Sequence, residues 1–471
     1  RFVKQSVEVG INIFRIFDAL NDFRNIETAV NTVKKCGETV EGCISYTVSP
    51  VHNIELYLKM AKQLEEMGSD IICIKDMAGL LTPDVTKILV SEIKKSSKLP
   101  IHLHTHATTG LVGMNMQCAI EAGVDMVDTA ISSLSMGTSH YATECIVAGL
   151  KGTPRDTGLD LNLLEEINDY FTEVKKNYAE FESDFKGVDI NILKSQIPGG
   201  MISNMENQLR EQNALDKLDE VLKEVPRVRK DMGYPPLVTP TSQIVGSQAT
   251  LNILTGERYK VITKETRQCL LGNYGKLPAP IDEELMSKVS ADGKVTDCRP
   301  ADLLEPEWET VCKELGDKHT SEEDRLTYAL FPKVALKFFE TRGKPQPKPV
   351  ATAPAQSGAS APAPAVATAP GGSAVYSVRV NGKDYTVEVS TGGAMSSSPA
   401  IAAAPAPVSA PAPSAGSGSP LVAPLPGSIF SMKCKEGDAV NEGDTVLVME
   451  SMKMESEVNA HQSGTIQTVL V

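Results

Sequence analysis

Asp70-Ile71-Ile72-Cys73-Ile74-Lys75-Asp76-Met77-Ala78-Gly79 and Pro100-Ile101-His102-Leu103-His104-Thr105-His106 are two short apolar runs, each ending in polar side chains. Between them Thr82-Pro83-Asp84 opens a helical pattern, with Thr82 as N-cap and Pro83 at the first helical position. Ile11 to Phe17, Val40 to Tyr46 and Val124 to Ile131 read as further buried strands. Asn53 to Met67 reads as a helix with Ile54, Leu56, Leu58, Met60, Ala61 and Leu64 as its apolar set. Strand and helix alternating at this spacing imply βαβ units and a parallel sheet. An open doubly wound sheet and a barrel both fit. No GxGxxG follows the first strand, which argues against a dinucleotide fold.

Residues two apart on a strand share a face. His102, His104 and His106 therefore line up, with His104 and His106 nearest the C-terminal end, where barrel active sites sit. A single buried histidine is best explained as a hydrogen-bonded core residue. Alternating histidines followed by Ala107-Thr108-Thr109-Gly110 point instead to a shared metal. Lys75 ends an apolar strand, where burying it without a role is costly. A protonated amine has no lone pair for a metal, whereas a lysine carbamylated by CO2 is an anionic oxygen ligand. On spacing alone, a salt bridge to Asp76 is the simpler account of Lys75.

The chain has 471 residues, a length for two to four units at about 100–200 residues each. A net charge of −14 argues against a nucleic-acid partner. Nine scattered cysteines without a CxxC pair suit a reducing cytoplasm. No signal peptide and no apolar run of about 18 residues is seen, so membrane association is expected only through partner subunits. The first residues, Arg1-Phe2-Val3-Lys4, and the last, Val469-Leu470-Val471, read as cut ends of a fragment.

Residues 1–154 form the strand-helix unit, and 155–345 read as a second, mostly helical domain with Leu161 to Phe181 and Ile202 to Val225 as its clearest helices. Two Ala/Pro-rich stretches, 346–373 and 392–420, have the composition of mobile tethers. Between them, 374–391 carries Asn381-Gly382 between alternating runs, a hairpin signal that suits a docking element or a spacer. Residues 421–471 are a small all-β pattern punctuated by Glu436-Gly437-Asp438 and Glu442-Gly443-Asp444. Within it Met452-Lys453-Met454 falls between two strand-like runs, which places Lys453 at an exposed hairpin tip. A lone turn lysine is ordinarily just solvated. Flanking methionines have no packing rationale there, and the upstream tether is what a swinging arm requires.

These last residues resemble the biotinyl carrier domain family, in which Met-Lys-Met marks the biotinylated lysine; Pro424, Gly427, Gly437-Asp438 and Gly443-Asp444 also match. Phe14-Arg15-Ile16-Phe17-Asp18, Cys73 to Leu81, His102 to Gly110 and Val238-Thr239-Pro240-Thr241-Ser242 resemble the carboxyltransferase family of pyruvate carboxylase, transcarboxylase and the oxaloacetate decarboxylase α subunit. The resemblance implies an α/β fold: a (β/α)8 TIM barrel, a helical second domain and the small carrier domain. It implies biotin on Lys453 and a divalent metal (Zn, Mn or Co) held by carbamylated Lys75, His104 and His106. Thr239 would shuttle a proton between biotin and the substrate, and Ser242 would touch the biotin ring. The family's Asp metal ligand and substrate-binding Arg would both lie before Arg1.

By the same resemblance the reaction moves a carboxyl group between oxaloacetate and biotin, with the metal as Lewis acid on the keto oxygen. Two relatives fit the domain order. One is the α subunit of a sodium-pumping oxaloacetate decarboxylase with membrane β and γ subunits, and the sequence is read as this one. The other is a pyruvate carboxylase B subunit with a separate biotin carboxylase. A non-catalytic biotin carrier or scaffold is the third reading. A biotin protein ligase and homo-oligomerisation are expected in each enzymatic case.

Overall fold

The computed structural model describes residues 1–179, 182, 187–198, 201–202, 205–206, 209–210, 214–290, 293–344, 374–380, 383–389, 419, 421, 428–451 and 454–469. Five parallel strands form one sheet: β1 (Ile13–Ile16), β2 (Thr39–Ser45), β3 (Ile71–Asp76), β4 (Ile101–Thr105) and β5 (Met126–Val127). Each lies beside the strand before it in sequence. A doubly wound sheet reverses its strand order at a switch point. This order never reverses, which is the winding of a (β/α) barrel. The register sets Glu41 beside Arg15, Cys43 beside Cys73, and Lys75 beside His104.

Alternation along the strands divides the residues cleanly. Val40, Ile44, Ile72, Ile74, Ile101 and Leu103 join one core with residues of the crossover helices. Those helices are α2 (Glu27–Cys36), α3 (Ile54–Glu66) and α4 (Pro83–Ser96), following α1 (Phe2–Glu8). Val33, Leu64 and Ile93 are their most deeply buried contributions. Gly42 is on this outward face because a Cβ there would stand 2.4 Å from Ser69 Oγ. The opposite face carries Arg15, Glu41, Cys73, Lys75, His102 and His104.

Asn53 caps α3, its side chain accepting from Leu56 N at 2.9 Å. Thr82 holds the N-cap position of α4 with Pro83 following, but its hydroxyl makes no cap hydrogen bond. Its carbonyl instead accepts from the Thr86 backbone and hydroxyl. The fifth expected strand, Val124 to Ile131, pairs with β4 only over Met126–Val127, and Ala130 makes an isolated bridge to Ala142. Beyond it the chain turns into a 3-10 helix at Ser132–Leu134.

After α5 (Val112–Glu121), α6 (Thr143–Leu150), α7 (Leu161–Lys176) and α8 (Ile192–Ser195), a second core gathers around α9 (Leu218–Asp231) and α10 (Thr241–Leu254). The helix expected over Ile202 to Val225 is interrupted: Ile202, Met205, Glu206, Leu209 and Arg210 are helical, and the helix resumes at Leu218. Leu215–Lys217 is a 3-10 turn, and α9 runs through Pro226 to Asp231. Val221, Val225 and Val228, all fully buried, explain why packing overrides the proline there. α10 is buried on nearly every side, so its polar groups bond inward: Gln248 to the Val261 carbonyl and Asn252 to Glu224. Shorter helices follow: α11 (Lys264–Leu270), α12 (Glu283–Ser290), α13 (Trp308–Leu315), α14 (Glu322–Leu330) and α15 (Pro332–Thr341).

Residues 351–420 form a separate unit. Within it β6 (Ala374–Val380) pairs antiparallel with β7 (Lys383–Val389). Asn381-Gly382 and the Ala/Pro stretches 346–373 and 392–420, save Ser419, lie outside the described residues. The C-terminal β domain has β8 (Ser428–Met432), β9 (Ala439–Val440), β10 (Thr445–Ser451), β11 (Met454–Asn459) and β12 (Gly464–Thr465). Its two Glu-Gly-Asp turns share one construction. Gly437 and Gly443 take left-handed φ of 94° and 91°, and the following Asp438 and Asp444 each accept a backbone N–H three residues back at 2.7 Å.

Leu64→Ala should lower stability by about 2–5 kcal/mol, because the site is walled by strands that cannot collapse. Chemical denaturation followed by circular dichroism measures it; a loss under about 1 kcal/mol would contradict the packing described.

Candidate metal centre

β4 delivers His104 at its end and His106 one residue beyond it, and the loop after Ser135 brings His140 alongside. The ring centroids of His104 and His140 stand 4.5 Å apart, and those of His106 and His140 4.6 Å. One ligand nitrogen from each of the three lies within 4.8 Å of the others.

Hydrogen bonding decides which nitrogens face inward. His104 Nδ1 lies 2.6 Å from the Asp128 carboxylate, His106 Nδ1 2.6 Å from the Thr138 carbonyl, and His140 Nδ1 2.9 Å from the Thr105 carbonyl. All three oxygens can only accept, so each ring carries its proton on Nδ1 and offers the Nε2 lone pair. The Nε2 atoms of His104 and His106 are 3.2 Å apart. Burial lowers both rings below the usual imidazole range, His106 to about 4, so both are neutral near pH 7. Two lone pairs thus face each other, an arrangement that a cation between them relieves. Two nitrogens at zinc distance on tetrahedral directions would stand roughly 3.3 Å apart. The donor set fits a borderline divalent cation.

Lys75 is buried on the neighbouring strand, level with His104. Its ammonium lies 5.0 Å from the Phe17 ring centroid, and no ion pair to it is found among the described residues. The alternative account, a salt bridge to Asp76, does not hold. The Asp76 carboxylate is fully buried and taken up by Leu80 N at 2.8 Å, Leu81 N at 2.9 Å and the Thr105 hydroxyl at 2.9 Å. Burial still pushes its carboxyl up to about 6. Those bonds shape the loop through Gly79, where φ is 67° and a Cβ would stand 2.6 Å from the His106 carbonyl.

Behind the imidazoles lies an ionic network that the sequence reading left without roles. Arg15 reaches Asp128 at 2.6 Å and Glu41 at 3.1 Å, and His102 bridges Glu41 at 2.8 Å and Asp128 at 3.0 Å. Burial lowers His102, but its two carboxylate partners outweigh this and raise it to about 9. Burial also opposes charge on Asp128, yet hydrogen bonds from His102, His104 and Arg15 hold it far below the ordinary carboxylate range. His102 therefore belongs to this network and turns away from the metal candidates.

Thr239 is exposed, two residues before α10, and Ser242 is buried in that helix's first turn. Among the described residues, no hydrogen bond or ion pair joins either to the histidines. Their loop is fixed to the barrel by Arg229, which donates to the Pro235 carbonyl at 2.8 Å, the Val48 carbonyl at 2.9 Å and the Thr47 hydroxyl at 2.9 Å. Lys453 lies outside the described residues, between the paired strands β10 and β11.

Lone pairs that call for a cation, aimed from the strand ends of a sheet wound in barrel order, define the class: a metal-dependent (β/α) barrel enzyme. Residues 12–170 match the HMGL-like family, 192–392 the conserved carboxylase domain, and 419–471 the biotin-requiring enzyme domain. The chain belongs to the biotin-dependent carboxyltransferase family, whose cofactors are biotin and a divalent metal. It is 49% identical over 458 residues to the B subunit of pyruvate carboxylase from Methanocaldococcus jannaschii, covering 96% of this chain and 77% of that one. It is 42% identical to a 2-oxoglutarate carboxylase large subunit of Hydrogenobacter thermophilus, over 98% of this chain and 76% of that one. The carboxyl transferase domain of Rhizobium etli pyruvate carboxylase, solved with pyruvate, superimposes with a TM-score of 0.69 at 31% identity, over 72% of this chain and 60% of that one.

Gly79→Ala should destabilise the protein by about 1–3 kcal/mol, since both the backbone conformation and the space are denied to a side chain. Thermal unfolding reads this out; an unchanged midpoint would contradict the close approach to His106.

Proposed function

We propose that this chain is the carboxyltransferase and biotin-bearing subunit of a two-subunit pyruvate carboxylase, forming oxaloacetate from pyruvate with a separate biotin carboxylase. The observation that carries the reading is the 49% identity to a pyruvate carboxylase B subunit, running through both the barrel and the carrier domain. It favours this reading over the sodium-pumping decarboxylase expected from sequence. Both relatives above are carboxylase subunits by name.

His104 and His106 would hold the metal through Nε2, carbamylated Lys75 would add an anionic oxygen from the next strand, and His140 is within reach as a third nitrogen. A divalent cation there supplies Lewis acidity toward a keto oxygen. Biotin on Lys453 supplies the carrier for the carboxyl group. Thr239 takes a proton from the methyl carbon of the keto acid and gives one to the ring nitrogen that has lost its carboxyl group. Its exposure suits a residue that must meet an incoming arm. Ser242, one helical turn along, would orient the biotin ring. We assign residues 1–154 to the barrel, 155–345 to the helical domain and 421–471 to the carrier, with the Ala/Pro stretches as tethers by composition.

The full-length subunit, mixed with its biotin carboxylase partner, ATP and labelled bicarbonate, should fix label into pyruvate. Avidin and prolonged chelation should each abolish this. Lys453→Ala should lose the biotin mass and all activity, and Thr239→Ala should fall by about 10²–10⁴-fold while staying biotinylated. Label entering 2-oxoglutarate but not pyruvate would move the substrate to the other keto acid. ATP-independent, sodium-stimulated decay of oxaloacetate would restore the decarboxylase.

A further inference from the structure

Asp128 stands just past the end of β5, with its two oxygens shared among three side chains from two other strands. Oδ2 accepts from His104 Nδ1 and from Arg15 Nη1, each at 2.6 Å. Oδ1 lies 3.0 Å from His102 Nε2 and 3.3 Å from Arg15 Nη2. The guanidinium therefore grips the carboxylate with both prongs. Its Nε is spent on Glu41 Oε2 at 3.1 Å, and Glu41 is itself 3% exposed on β2. A planar fork held at both ends fixes the plane of the carboxylate it meets.

The three imidazoles are not oriented in the same way. His106 and His140 bond to backbone carbonyls, whose places are set by the chain. His104 alone bonds to a side chain, which is only as fixed as its own partners. Arg15 supplies that fixity from the far strand of the sheet.

We propose that Asp128, clamped by Arg15, is the positioning residue of the metal centre: it sets the tautomer and ring angle of His104, and so controls metal affinity from outside the ligand set. The proposal rests on the metal-centre reading of His104 and His106. Carboxylates behind a ligating imidazole typically govern metal affinity by about 10–100-fold. The competing account is that Asp128 only neutralises Arg15 inside the barrel.

The test uses the full-length biotinylated protein, stripped of metal and titrated with Co²⁺ alone. Asp128→Asn preserves shape but replaces an anionic acceptor with a neutral amide. It should weaken Co²⁺ binding by about 10–100-fold, shift the visible cobalt absorption, and regain most of its kcat at saturating metal. Arg15→Lys keeps the charge and loses the fork. It should weaken binding in the same direction, and it stands in should Asp128→Asn not fold. Wild-type affinity and an unchanged cobalt spectrum in these variants, with only the unfolding temperature lowered, would overturn the proposal and leave the neutralising role. Failure of the wild-type protein to bind Co²⁺ at all would be a different result, overturning the metal centre and this proposal with it.

Discussion

Charge placed on the inner face of a barrel sheet must find its partners on that same face. The outward side of these strands is sealed by Val40, Ile44, Ile72, Ile74 and Leu103 against the crossover helices. Arg15, Glu41, His102, His104 and Asp128 therefore satisfy one another, and a buried charge such as Glu41 left alone there would cost several kcal/mol. The result is a closed set of ion pairs, with two carboxylates facing a guanidinium and a protonated imidazole. That set fixes the relative rotation of β1, β2, β4 and the chain after β5. It leaves one nitrogen, His104 Nε2, pointing away from the network toward His106.

The strand ends are built differently. Asp76 is consumed by two backbone amides and a threonine hydroxyl, so it shapes a loop and pairs with no cation among the described residues. Lys75, one residue earlier, faces the opposite way and keeps no ionic partner among the described residues. Adjacent residues on a strand always diverge like this. Here the divergence separates a structural acid from an uncommitted amine, and it places that amine beside paired imidazole lone pairs.

Much of this is legible in the residues alone. Short β-branched runs at regular spacing give the parallel sheet, and the alternation of His102, His104 and His106 gives the face. What periodicity cannot decide is barrel against open sheet, because both share the same local pattern; only strand order separates them. His140 escapes a sequence reading because an isolated histidine in Gly137-Thr138-Ser139-His140 carries no period. Its place depends on a turn that brings Ala107 N to the Ser139 carbonyl. Arg15 is visible in principle. An arginine between Phe14 and Ile16 on a strand must face opposite to them, on the side of the histidines. Asp128 offers the same cue as Lys75, a charge closing an apolar run, but the run reads as extending to Ile131. The helix limits near Pro226 fail because propensity ranks proline as a breaker, while three valines on one buried stripe outweigh it.

His102 and His104 show how a barrel turns a repeated residue to two uses. They share a strand and a face and differ by one step in depth. At the lower step the ring meets carboxylates on two sides, so both its nitrogens are engaged and it holds its proton. At the upper step the ring meets a carboxylate on one side and His106 on the other, so one nitrogen is engaged and burial disfavours a second proton on the ring. The chemistry of each ring follows from how many acceptors its level of the sheet supplies, and Asp128, spanning the two levels, supplies one oxygen to each.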